Sequence, residues 1–308
     1  MRWGTAILPC ALLAMIVGCA PAKPRTAAEY FTDANTRFRQ GALTMAIDEF
    51  HELLDQHPFS EHNEEAELKI AHAQYLSGNY AEAVVALSDF QRRHPTSPHL
   101  PFVGYYLGMC YVKQMGSIDT DQTAAQNAHT YFITVTRQYP DSPYALLANQ
   151  QLAHCRETLA EHELYVADFY TRHGNNKAAE IRMLNLASRY GETDAAADAL
   201  LKLASLYRDT NQAPYAVLAY RTLIEDNPKS PQAEEARQAL AKLSGEEVGS
   251  GDPLDQLLAA NGRQRSTATF DTVKLPDPTA VHTARRAPPP APAGFGPASS
   301  PFGGGRPY

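Results

Sequence analysis

The chain has 308 residues, 44% of them hydrophobic, and sets 27 Lys and Arg against 34 Asp and Glu for a formal charge of −7. That length allows one or two domains with a sizeable core, while the acidic balance and the lack of any Lys/Arg cluster exclude a basic groove for nucleic acid. Four cysteines with no C-x-x-C pair exclude a disulfide scaffold, a zinc knuckle and a thioredoxin-type redox site.

In chain order, Met1-Arg2 precedes an apolar run from Ala6 to Val17, followed at once by Gly18-Cys19, Pro21, Lys23 and Pro24. A bilayer-spanning helix needs about 20 apolar residues, so this shorter run reads as an export signal over residues 1–18. Ile16-Val17-Gly18-Cys19 resembles the bacterial lipobox. It implies cleavage before Cys19 and acylation of its thiol and new amino terminus, leaving 19–26 as a lipidated linker. Acyl chains contribute about 0.8 kcal/mol per buried methylene, so two or three of them hold a chain on a membrane. Ala20 rather than Asp after the cysteine points, by resemblance to sorted lipoproteins, to the outer membrane. The alternative is an ordinary signal peptide that contains a cysteine.

From Ala27 to Ser244 the apolar residues recur at three and four rather than two, in segments rich in Ala, Leu, Glu, Gln and Tyr. This pattern predicts amphipathic helices throughout and no strand. The breaks repeat: His57-Pro58-Phe59-Ser60, His94-Pro95-Thr96-Ser97-Pro98, Tyr139-Pro140-Asp141-Ser142-Pro143, Tyr190-Gly191-Glu192-Thr193 and Asn227-Pro228-Lys229-Ser230-Pro231. In each, Pro or Gly ends a helix, then Ser or Thr offers an oxygen to the free amides of the next, and Pro at a first helical position forfeits no bond. A small residue stands twelve before each break (Ala46, Ala83, Ala128, Ala179, Ala216) and a large apolar one eight before (Phe50, Leu87, Phe132, Met183, Tyr220). A second small residue stands 24 before in four units (Ala34, Ala71, Ala167, Ala204), with Gly108 in that role in the third. The pattern is similar to the tetratricopeptide repeat, and it predicts an all-α solenoid of five repeats over 27–244, ending near 58, 95, 140, 191 and 228.

The longer intervals predict a polar insertion at Met115–Gln122 inside the third repeat and one uninterrupted helix from Pro143 to His173. Residues 245–308 hold 10 of 22 prolines and 9 of 18 glycines, which predicts a disordered tail. Within it only Pro253–Ala260 has apolar residues at helical spacing, enough for a turn or two of helix in contact with a partner.

No catalytic constellation emerges, and no metal or cofactor site. His51-Glu52-Leu53-Leu54-Asp55 lacks the second histidine of a zinc protease helix, and phosphate loops, dinucleotide fingerprints and nucleophile elbows are missing. Glu161 and Glu163 around His162 read as a polar helix face. Cys110 and Cys155 read as packed thiols, with a disulfide between them open in an oxidising compartment.

The lipobox, five repeats, the insertion and the long helix together resemble the BamD family of outer-membrane assembly lipoproteins. The resemblance covers roughly residues 19–240 and is carried by Tyr139-Pro140-Asp141-Ser142-Pro143-Tyr144, Leu159-Ala160-Glu161-His162-Glu163 with Tyr165, and Tyr170–Gly174 leading into Ala178-Ala179-Glu180-Ile181-Arg182. The third-repeat insertion, with only Asp119-Thr120-Asp121, is shorter than is common there, and the tail has no counterpart. The resemblance implies a non-enzymatic protein on the periplasmic face of the outer membrane. Its implied partners are a barrel-forming, BamA-like subunit, unfolded outer-membrane precursors and accessory lipoproteins. Arg182, Glu161 and Glu163 become partner-binding candidates, with Arg182 able to make a bidentate bond to a carboxylate. Tyr30, Phe38, Tyr75 and Tyr80 are candidates for a precursor groove, against core packing as the other reading. Other lipid-anchored repeat proteins, such as secretin pilotins or cell-wall synthesis scaffolds, are the alternative.

Overall fold

Helices stop where the sequence sets its proline and glycine breaks, and residues just beyond each break are turned by a serine or threonine. A computed structural model describes residues 24–243 and 249–265, among which there are twelve helices and no strand. They pair as α1 (Ala27–Arg39) with α2 (Leu43–Gln56), α3 (Asn63–Leu76) with α4 (Tyr80–Arg93), α5 (Leu100–Val112) with α6 (Thr123–Gln138), α7 (Pro143–Arg172) with α8 (Asn176–Tyr190), and α9 (Asp194–Asp209) with α10 (Ala213–Asp226). Two further helices follow, α11 (Pro231–Lys242) and α12 (Pro253–Ala260). The protein is an α-solenoid of five tetratricopeptide repeats.

Two compact units divide at Ala66 and Glu67. In the first, α1 opens with a capping box: Thr26 Oγ1 accepts from the Glu29 amide at 3.3 Å, while Glu29 Oε2 accepts from the Thr26 amide at 2.7 Å. Its core is Ala34, Ala46, Phe50 and Leu53, and Phe31 stacks on His62 with ring centroids 4.5 Å apart. In the second unit, α5 packs on α4, α6 and α7, and α9 packs on α7, α8, α10 and α11.

All five alanines twelve residues before the breaks are fully buried, as are Ala34, Ala71, Ala167 and Ala204. The large residues eight before the breaks are buried as well, from Phe50 to Tyr220. Turns inside a repeat rest on a left-handed residue: Gly41, Gly78 and Gly174 have φ between 72° and 81°, and Asn211, at φ 57°, stands in for glycine in the fifth repeat. In the third repeat the polar segment from Lys113 to Gln122 replaces that turn, as the insertion predicted.

The break chemistry holds at three positions and shifts at two. Ser142, Thr193 and Ser230 cap α7, α9 and α11 through their side-chain oxygens. Ser60 and Ser97 instead take the amides of His62 and His99 in a turn ahead of the helix, so α5 begins at Leu100 and Pro98 stays outside it. Within residues 249–265, the stretch Pro253–Ala260 that has apolar residues at helical spacing forms α12, whose Pro253, Leu254, Leu257 and Leu258 are buried against helices of the same chain. Residues 266–308 and the signal and lipidation segment with Cys19 lie outside the described residues.

Candidate partner-binding site

Between Pro143 and Gly174 there is no glycine or proline, and Ser142 caps the start, so α7 runs 30 residues. Asn175 caps α8 by accepting from the Ala178 amide at 3.1 Å. This places Glu163 on α7 beside Arg182 on α8, where Arg182 Nη1 donates to Glu163 Oε2 at 3.0 Å. The arginine side chain remains 40% exposed and the glutamate 20%, and the bond between them is part-buried. One residue earlier, His162 Nδ1 donates to the Ile118 carbonyl at 2.6 Å, which latches the third-repeat insertion onto the long helix.

Glu161 faces elsewhere. It borders a shallow hollow between α7 and α9 walled by Glu157, Asp168, Asp194 and Asp198, with Leu164 and Tyr165 as its apolar part. Glu157 accepts the Asp194 and Ala195 amides at 3.1 and 3.0 Å and so caps α9 from a neighbouring helix. Burial pushes its carboxyl up, and the two amides pull it partly back. Lys202 Nζ bridges both oxygens of Asp168 at 2.6 and 2.7 Å, and Gln232 donates to Asp198 at 2.6 Å. Beside the hollow, Tyr165 and Phe169 stand one turn apart on α7 with 38% and 45% of their surfaces exposed. The surface of α7–α9 is thus acidic, studded with two aromatic rings, and carries a half-open arginine.

The aromatic candidates divide between the units. In the first, Tyr30 and Phe38 are half-buried, and the Arg25 guanidinium lies 4.0 Å over the Tyr30 ring. In the second, Tyr75 and Tyr80 are half-buried against the core around Leu87 and Phe90, with their ring centroids 5.7 Å apart. Tyr75 also meets Tyr106 edge-on at 4.9 Å, in a cluster that extends through Phe102 to Tyr105 and Tyr144. Burial pushes the Tyr75 hydroxyl up to about 12. Tyr105 and Tyr106 were not singled out from the sequence, and Tyr144 was named only as the end of the Tyr139–Tyr144 run. The Tyr105-Tyr106 doublet in an otherwise apolar helix was the available signal.

Cys110 and Cys155 are free and buried, and burial pushes both thiols up to about 12. Among the described residues no group of three His, Cys, Asp or Glu side chains is placed to hold a metal, and no helix is long and apolar enough to cross a membrane.

Helix pairs crossing at buried small residues, with side chains of both charges and aromatic rings on their surfaces, define a tetratricopeptide-repeat protein, a class built to hold other polypeptides. A tetratricopeptide-repeat profile matches residues 198–230. The profile of the outer membrane lipoprotein family YfiO matches residues 23–208, more than half of the chain, and the protein belongs to that family. Similar curated proteins include the outer membrane protein assembly factor BamD of Xylella fastidiosa strain 9a5c, 30% identical over 53% of this chain and 61% of that one. BamD of Caulobacter vibrioides is 30% identical over 54% and 57%, and BamD of Pasteurella multocida 26% identical over 56% and 71%. The chain therefore spans about six tenths of the length of the first of these relatives. A crystal structure of a thermophilic tetratricopeptide protein from Thermus thermophilus superposes with a TM-score of 0.32 at 16% identity, over 71% of this chain and 98% of that one.

Proposed function

We propose that this protein is a non-enzymatic, lipid-anchored component of an outer-membrane β-barrel assembly complex. Cys19 tethers it to the periplasmic face of the outer membrane. The α7–α8 surface, with Arg182, Glu163 and Glu161, binds the barrel-forming, BamA-like subunit. The aromatic surfaces around Tyr30 and Phe38 in one unit and Tyr75 and Tyr80 in the other receive unfolded barrel precursors, whose extended aromatic segments match them in chemistry.

The observation that carries this reading is the half-exposed Arg182–Glu163 pair inside the segment matched by the outer membrane lipoprotein family. Arginine offers five donors in a planar fork, so an arginine that spends one on Glu163 retains donors for a partner carboxylate. The supporting relatives are named as outer membrane protein assembly factors.

The test is affinity purification of the full chain from detergent-solubilised outer membranes. The barrel-forming subunit is expected with the wild type and depleted with Arg182→Glu. Unchanged recovery with Arg182→Glu removes the assignment of that residue, and recovery of a secretin instead of a barrel insertase overturns the reading in favour of a pilotin. Cys19→Ala is expected to move the protein into the soluble periplasmic fraction. Photo-crosslinking amino acids at positions 30, 38, 75 and 80 are expected to capture unfolded barrel precursors.

A further inference from the structure

The segment after the last repeat is specified at both ends by its own residues. Asp252 caps α12 by accepting the Asp255 amide at 3.0 Å, and Pro253 occupies the first helical position. At the other end Gly262 turns left-handed with φ 67°, its amide reaching the Ala259 carbonyl at 2.9 Å while the Arg263 amide reaches Leu258 at 2.8 Å. That is a complete Schellman closure. Arg265 then folds back to pair with Asp252 and Asp255. Eight residues are too few for a stable helix in water, however well capped, so the surface beneath supplies what the sequence lacks.

That surface is formed by α8 and α10. Leu254, Leu257 and Leu258, spaced i, i+3, i+4, are at most 1% exposed and join one buried cluster with Ala179 and Met183 of α8 and Tyr220 of α10. Asp255, Ala259 and Ala260 on the other side of α12 face solvent. Side-chain bonds set the register at one end: Lys177 Nζ donates to Asn261 Oδ1 at 2.7 Å, and Arg263 Nη1 donates to Asn185 Oδ1 at 3.0 Å. Tyr207, whose hydroxyl donates to Glu180 at 2.8 Å, lies under Asn261. Apolar anchors on one stripe with polar clamps at its end are the features of an amphipathic helix lying in a groove. All of α12 falls outside residues 23–208, the extent of the family match.

We propose that the α8–α10 surface is a docking groove for short amphipathic helices bearing a Leu-x-x-Leu-Leu stripe, and that α12 occupies it from within the chain as a displaceable strap. Five residues, 244–248, separate Leu243 from Gly249 in sequence. Because α12 belongs to the same chain as the groove, a free helix of equal quality competes with an intramolecular partner and gains only when the strap is weakened.

The experiment uses the full chain and a fluorescent peptide of residues 249–265. The peptide is expected to bind saturably to the Leu257→Asp/Leu258→Asp chain, and at least about tenfold more weakly to wild type, whose groove is filled. Adding Asn185→Ala to the double variant is expected to weaken the peptide, because the Arg263 clamp is lost. Hydrogen exchange on the wild type is the second readout. Amides of 254–260 are expected to exchange through a local opening, faster than those of α8 and α10. Failure of the peptide to bind the double variant, equal binding to both chains, or protection of α12 equal to that of α10 overturns the proposal.

Discussion

Gly108 on α5 lies flat against the ring of Phe132 on α6: a Cβ at Gly108 would sit 2.5 Å from Phe132 Cε1 and 2.8 Å from Cδ1 and Cζ. Phe132 is fully buried, so the ring has nowhere to retreat. Gly108→Ala is therefore expected to destabilise the protein by about 1–3 kcal/mol through overpacking, against a helix-propensity gain of at most about 1 kcal/mol. In a Phe132→Leu background the same change is expected to cost less or to stabilise. Urea unfolding of the four chains measures the coupling, and identical costs in both backgrounds would refute the close-approach account.

Arg182 lets stability be tested apart from the proposed binding. Its pair with Glu163 is part-buried, with the arginine 40% and the glutamate 20% exposed, and solvent reaching the arginine keeps its contribution to about 1 kcal/mol, so Arg182→Ala is expected to lower the unfolding midpoint only slightly. The swap Arg182→Glu with Glu163→Arg rebuilds the internal pair with its ends reversed. If Arg182 serves a partner carboxylate, the swapped chain is expected to be as stable as wild type and still fail to retain the barrel-forming subunit.

His72 lies edge-on to Phe102 at 5.2 Å and 4.7 Å from Tyr106, and burial, with Lys69 adding to it, lowers its pKa to about 4. The unfolded chain then binds a proton that the folded chain refuses between about pH 6.5 and 4. Its contribution is fully present above pH 6.5 and is lost as pH falls, at up to about 1.4 kcal/mol per pH unit within that window. His72→Gln, which does not titrate, is expected to lose less stability than wild type between pH 7 and pH 5. Denaturant midpoints at the two pH values decide it, and equal losses would refute the assignment.

Cys110 and Cys155 offer a probe of packing. With thiols buried and raised to about 12, each is expected to react with iodoacetamide at pH 8 far more slowly than a free thiol, and at the ordinary rate in urea. Mass mapping without reductant is expected to find both thiols free. Fast native labelling would place one of them at the surface.

The repeat was legible because its physics is local and recurrent. Ala46, Ala83, Ala128, Ala179 and Ala216 are small where two helices cross, and a crossing leaves its mark at a fixed distance from a proline. Gly108 was legible for the same reason, even with the insertion displacing it. The misplaced starts at Ser60 and Ser97 show where such reading stops, since serine accepts an amide equally well in a turn before a helix as at its cap. Arg182 and Glu163 were each named from the sequence, but their bond was not, because it depends on how α7 and α8 face each other. The docking of α12 was the hardest to see. Leu254, Leu257 and Leu258 announced an amphipathic stripe, and nothing in their spacing said that the surface receiving it belonged to the same chain.

At 30 residues and about 45 Å, α7 is long enough to lie against both α5 and α6 of one repeat and α8 and α9 of the next two. It therefore works as a splint across joints that a regular array would leave free to flex. Through it the α8 surface that carries Arg182 and the tyrosine cluster near Tyr144 belong to helices packed on one continuous 30-residue element.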